Sequence, residues 1–131
     1  MTASTILRLA ALLGALSVAL GAFGAHGLER LVMPERVETF TTGVRYQFYH
    51  TFAIALCGLL LASGAGGGPW VGRAVWLFGL GILLFSGSLY LLSLRTVHGL
   101  PVGFLGPITP IGGLLLIGGW VAFFLAIKPQ S

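Results

Sequence analysis

Val71 to Leu94 reads VGRAVWLFGLGILLFSGSLYLLSL, with one charged residue, Arg73, in twenty-four positions. A helix that crosses the hydrocarbon core of a bilayer needs about 20 predominantly apolar residues. This stretch meets that length with no other charge, so it predicts a membrane span. Three more windows do the same: roughly Thr5–Ala25, Val44–Ser63 and Thr109–Ile127. Residues 1–131 are therefore expected to form a single all-α domain, a bundle of four transmembrane helices.

Composition points the same way. Of 131 residues, 56% are hydrophobic and 8% charged, and the mean hydropathy is +1.00. Ordinary soluble domains carry roughly 25% charged residues, so a water-soluble core is excluded. The net charge of +4 reflects scarce acids, since Asp is absent and Glu occurs only at 29, 35 and 38. The seven Lys and Arg are scattered among the connections and form no stripe, which argues against nucleic acid as a partner. Cys57 sits alone in an apolar run, where a buried small hydrophobe is the plain reading. Arg8 followed by an apolar run from Ile6 to Ala25 resembles a signal peptide, but the run exceeds the usual 7–15-residue signal core. It reads as a retained first helix.

Gly64-Ala65-Gly66-Gly67-Gly68-Pro69 is a turn short enough to make the second and third spans antiparallel neighbours. The connection from His26 to Gly43 differs, because Leu28, Leu31, Val32, Val37 and Phe40 alternate with Glu29, Arg30, Glu35, Arg36 and Glu38 around Pro34. Proline at a first turn, mixed with apolar and charged faces, predicts a short interfacial helix between the first and second spans. Ala11, Ala15 and Ala19 recur every fourth residue in the first span, and Gly118, Ala122 and Ala126 in the last. Such small-residue rows let helices approach closely. Trp70, Trp76, Tyr46 and Tyr49 fall where interfacial aromatic belts are expected.

The polar residues gather at one set of helix ends. His26 closes the first span; Arg45, Tyr46, Gln47 and His50 open the second; Ser86, Ser88 and Tyr90 close the third; Thr109 opens the last. On the second span Tyr46 and His50 share a face at i,i+4 with Gln47 beside them. These nine residues form the candidate ligand-binding site, with His26, Tyr46, Gln47, His50, Tyr90 and Thr109 expected to lie in one polar pocket. Two readings stand. An ionisable residue inside the membrane suggests function, whereas His, Gln, Ser and Thr also bond across transmembrane helices simply to hold them.

Thr109 as an N-cap before Pro110, with Arg45 and Arg95 nearby, would make a niche for a small anion or lipid headgroup; its rival is an ion pair from Arg45 to Glu38 or Glu35. No Cys/His spacing motif and no acid within the spans supports an imidazole ligand, so neither metal nor cofactor is expected. No nucleophile–base arrangement, phosphate loop or paired carboxylate is present, and the chain is not expected to be an enzyme. His98, in a Gly/Pro-rich connection, is expected to be solvated.

Four segments carry a family likeness: Gly21–Leu28 (GAFGAHGL), Thr42–Thr51 (TGVRYQFYHT), Phe85–Tyr90 (FSGSLY) and Gly106–Gly113 (GPITPIGG). Together, over about residues 5–125, the chain resembles the bacterial YgdD-like family of small inner-membrane proteins, whose eukaryotic relatives are called transmembrane protein 256. The resemblance implies four transmembrane helices and no established activity. It places the family's characteristic residues at His26, Gly43, Tyr46, Gln47, His50, Ser86, Gly87, Ser88, Tyr90, Thr109, Pro110 and Gly112.

The resulting expectation is a non-enzymatic, multi-pass protein of the bacterial inner membrane, either an accessory or structural component or a binder of lipid or a small ligand at its polar face. Membrane lipids, a homo-oligomer or a larger membrane complex are the partners this implies. The alternative is an oligomeric transporter or channel for small solutes. Arg30, Arg36, Arg45 and Arg95 outnumber Arg8, Arg73 and Lys128 by one, which turns the polar face towards the cytoplasm.

Overall fold

A computed structural model describes residues 1–130. Its order is α1 (Ala3–His26), a single 3-10 turn (Leu28–Arg30), α2 (Pro34–Ala62), α3 (Trp70–Ser93), a four-residue turn of helix α4 (Arg95–His98) and α5 (Leu105–Ala126). Three helices, α1, α3 and α5, are long and apolar enough to cross a membrane. The longest, α2 with 29 residues, is not among them, because Arg45, Gln47 and His50 interrupt its apolar run.

The separate interfacial helix does not form. Pro34–Phe40 is the opening of α2 itself, continuous with the rest. Pro34 stands at a first-turn position, where its fixed φ suits a helix and its missing N–H is not needed, and Glu35 follows in the first turn. Thr39, Thr41 and Thr42 turn their hydroxyls back onto the carbonyls of Glu35, Val37 and Glu38, sharing these acceptors with the helix's own backbone. The apolar face assigned to the membrane surface packs inward instead: Leu28, Phe40 and Val44 are buried with Val32, Val37, Leu20 and Tyr90 around them.

Neighbours in the bundle follow chain order: α1 lies on α2, α2 on α3 and α3 on α5. The main core joins Ile6 and Ala10 of α1 to Ala53, Ile54 and Cys57 of α2, to Val75, Phe78 and Ile82 of α3, and to Leu116 and Ala122 of α5. As the turn predicted, α2 and α3 are antiparallel neighbours. Gly64 and Gly68 take φ of +75° and +62° there, a conformation glycine adopts without strain. The turn is tied to the end of α5, where Lys128 Nζ donates to Gly64 O at 3.1 Å.

Packing of α3 on α5 depends on glycine. A Cβ at Gly112 would run into the backbone of Phe85, one at Gly119 into the ring of Phe78, and one at Gly81 into Leu116. Leu105, Gly112, Gly119 and Ala126 are all buried at seven-residue spacing. The expected row in α5 partly serves this contact, since Ala122 and Ala126 are buried. The row in α1 does not: Ala11, Ala15 and Ala19 are exposed, and the buried face runs through Ile6, Ala10, Ser17 and Gly24.

α5 begins a full turn before Thr109, so the expected N-cap at Thr109 and first-turn position of Pro110 are not observed. Pro107 falls in the first turn, where N–H groups have no partner in the helix anyway. Pro110 lies inside the helix, where it cannot donate the backbone hydrogen bond to Gly106 O.

Candidate functional site

The nine candidate residues do not share one pocket. They divide into three interhelical junctions and two exposed outliers.

The first junction ties α1, α2 and α3. Gly43 leaves room for the ring of Tyr90, whose Cε1 would be 2.8 Å from a Cβ there. Ser86 Oγ donates to Gly43 O at 2.6 Å, and Tyr90 OH donates to Gln47 Oε1 at 2.7 Å. On its other side Gln47 Nε2 donates to Leu13 O at 3.4 Å, the same carbonyl that accepts from Ser17 Oγ at 2.7 Å. Gln47, Ser86 and Ser17 are buried. The amide of Gln47 thus spans from one flanking helix to the other.

The second junction joins α2 to α5. Trp120 Nε1 donates to His50 Nε2 at 3.2 Å. An indole nitrogen is a donor only, so Nε2 must accept, which assigns the proton to Nδ1. That nitrogen lies 2.6 Å from Tyr46 O, one turn back. Both ring nitrogens are therefore occupied in the neutral imidazole, and an added proton would break the bond to Trp120. The rings of Tyr46, Phe78 and Trp120 surround His50 with centroids 5.8–6.0 Å away. Tyr46 itself is 38% exposed and rests on Phe85.

The third junction joins α3 to α5. Ser88 Oγ and Thr109 Oγ1 share a hydrogen bond of 2.6 Å. Each hydroxyl also meets a carbonyl of its own helix, Phe85 O and Leu105 O, so the pair is satisfied without a further partner.

His26 and Arg45 stand outside these junctions. His26 is exposed at the end of α1. Arg45 lies 3.9 Å from Glu38, with both side chains mostly exposed, so the ion pair forms and the anion niche with Thr109 does not. Exposed pairs of this kind contribute little. His98 is not free in solvent: it takes the N–H of Leu100 on Nδ1 and holds Leu91 O through Nε2 at 2.8 Å. Among the described residues no three of His, Cys, Asp and Glu converge as metal ligands would.

Sequence reasoning missed Trp120, the partner that decides the state of His50. The available signal was a donor-only N–H within an apolar helix, where an acceptor has to come from a neighbouring helix. It also missed Ser17 as the second donor to Leu13 O.

Comparison with known proteins places the chain among uncharacterised membrane proteins. It is 40% identical over 124 residues to a UPF0382 membrane protein of Staphylococcus haemolyticus, covering 92% of this chain and 95% of that one. It is 41% identical over 111 residues to the UPF0382 membrane protein YwdK of Bacillus subtilis, 85% of each. A UPF0382 membrane protein of the yeast Schizosaccharomyces pombe is 39% identical over 130 residues, covering 92% of this chain and 99% of its own. No solved structure matches the chain. Residues 20–113, which hold α2, α3 and the residues of the three junctions except Leu13, Ser17 and Trp120, match the family described as "Protein of unknown function (DUF423)", and the chain belongs to that family.

Proposed function

We propose that this protein is a multi-pass inner-membrane protein of four spanning helices with a structural or accessory, non-enzymatic role, and that the chemistry of its polar residues is interhelical bonding. One observation carries the reading: Gln47, His50, Ser86, Ser88, Tyr90 and Thr109 each have a hydrogen-bond partner inside the chain. A side chain that already bonds a neighbouring helix has less to offer a ligand. A lipid or solute site built from these residues would have to open the junctions first. Support for α2 as the fourth span is its length, about 43 Å at 1.5 Å per residue, and its position between two apolar helices. The four motifs from Gly21 to Gly113 support the narrower likeness to YgdD-like proteins and transmembrane protein 256.

The test is thermal unfolding of the purified protein in detergent, with and without native lipid extract. His50→Gln and Gln47→Leu are expected to lower stability by the same amount in both conditions. Interhelical hydrogen bonds in membranes average about 0.6 kcal/mol, up to about 1.7, so the shifts are modest. A lipid-induced rise in Tm in the wild type that disappears in His50→Gln would overturn the structural reading, because selective binding to the native state raises apparent stability.

A further inference from the structure

The basic residues at the end of the bundle converge away from the junctions described above. Arg36 of α2 donates from Nη1 to Leu92 O at 3.2 Å, which holds its guanidinium over the end of α3. Two adjoining hollows meet at Arg36 and Met33. The larger, about 420 Å³, is also lined by Arg95, Thr39 and Ser93, and has Glu35 on its wall. The smaller, about 300 Å³, adds Arg30 and Thr96 and no carboxylate.

None of Arg30, Arg36 and Arg95 has a carboxylate in ion-pair range among the described residues; Arg45 takes Glu38 instead. A guanidinium carries five donors, and one hydrogen bond from Arg36 to a carbonyl leaves most of its fork free. Three arginines match a phosphate group, which guanidinium binds bidentately; the hydroxyls of Thr39 and Ser93 on the wall already donate to Glu35 O and Tyr90 O. The setting is not purely aqueous. Leu31 and Met33 line the smaller hollow and are 50% and 63% exposed, and Val97 and Leu100 are exposed close by in sequence to Arg95 and Thr96. Apolar side chains left bare beside arginines suit the boundary between headgroups and acyl chains.

We propose that these hollows bind a phosphate-bearing anion, and that its source is the headgroup of an anionic phospholipid, with Arg30, Arg36 and Arg95 on the phosphate and Leu31 and Met33 against the glycerol and upper acyl carbons. This site shares no residue with the three junctions, so it stands or falls apart from the structural reading of His50 and Gln47.

The test uses the full chain in nanodiscs of phosphatidylcholine with or without phosphatidylglycerol. Native mass spectrometry counts the retained lipid and thermal unfolding reads its effect. Because Arg36 also holds Leu92 O, the informative variant is the exposed pair Arg30→Gln with Arg95→Gln. Its control is Arg45→Gln with Arg73→Gln, which removes the same charge elsewhere. The wild type and the control are expected to retain phosphatidylglycerol and gain stability from it. The Arg30/Arg95 variant is expected to retain it about tenfold less, the loss of at least one charge-assisted hydrogen bond. Equal loss in the control would reduce the effect to net charge and overturn the site. Stabilisation by inorganic phosphate alone, as large as that by phosphatidylglycerol and lost in the same variant, would overturn the lipid source and leave a soluble phosphate.

Discussion

At the scale of single residues, the positions that matter most are those where a side chain is missing. Gly112 has the backbone of Phe85 where its Cβ would be, whereas Gly79, also in a membrane-apolar helix, has nothing within 4 Å. Alanine at Gly112 must therefore push α5 off α3, and overpacking of this kind costs about 1–3 kcal/mol or more. Thermal unfolding in detergent should show Gly112→Ala clearly destabilised and Gly79→Ala unchanged or slightly stabilised; equal melting temperatures for the two would show that the helices have room to adjust. Of these pairings the sequence displays only the ingredients. Gln47, His50, Ser86, Tyr90 and Thr109 stand out because they are polar in apolar runs. Which bonds which depends on how the helices rotate against each other, and that is decided by Gly43, Gly81, Gly112 and Gly119, which hydropathy treats as neutral. His50 illustrates the limit: an imidazole deep in a helix signals function in general, and only the position of Trp120, seventy residues away, turns it into a neutral cross-link.

Among the elements, α1, α3 and α5 were legible to within a few residues because apolarity and helicity coincide there. α2 was not. Its expected start at Val44 lies ten residues after the observed start at Pro34, since the intervening turns are helical and polar, and hydropathy registers only the second property. A helix of about 43 Å exceeds a hydrocarbon core of about 30 Å, so on the proposed four-span arrangement roughly a third of α2 would leave the core or be taken up by tilt. The charges Glu35, Arg36 and Glu38 belong to that third. Continuity of the helix has a direct consequence. Proline at Thr41 would remove an interior hydrogen bond and press against the carbonyl of Val37, at a cost of about 3 kcal/mol, while a hinge between an interfacial helix and a span would absorb it. Thr41→Pro is expected to unfold the protein or sharply lower its melting temperature; a variant that melts like the wild type would restore the hinged arrangement.

For the whole molecule, the decisive quantity is the number of crossings, because it fixes on which side of the membrane each connection lies. α2 packs along α1 on one flank and α3 on the other, and its deeper half, from Ala53 to Cys57, is part of the same core. This enclosure is the ground for the proposed fourth crossing, since a surface position for α2 would part its buried apolar residues from their partners. Four crossings put the amino terminus, the Gly64–Pro69 turn and the carboxyl terminus on one side, with the 3-10 turn and α4 on the other. Single cysteines in a Cys57→Ala background make this measurable with a membrane-impermeant maleimide. Thr2→Cys and Gln130→Cys should label from one side of the membrane, and Glu29→Cys and Val97→Cys from the opposite side. Three crossings would instead place Thr2 and Gln130 on opposite sides, and would put Arg95, which follows α3, on the opposite side from Arg30 and Arg36.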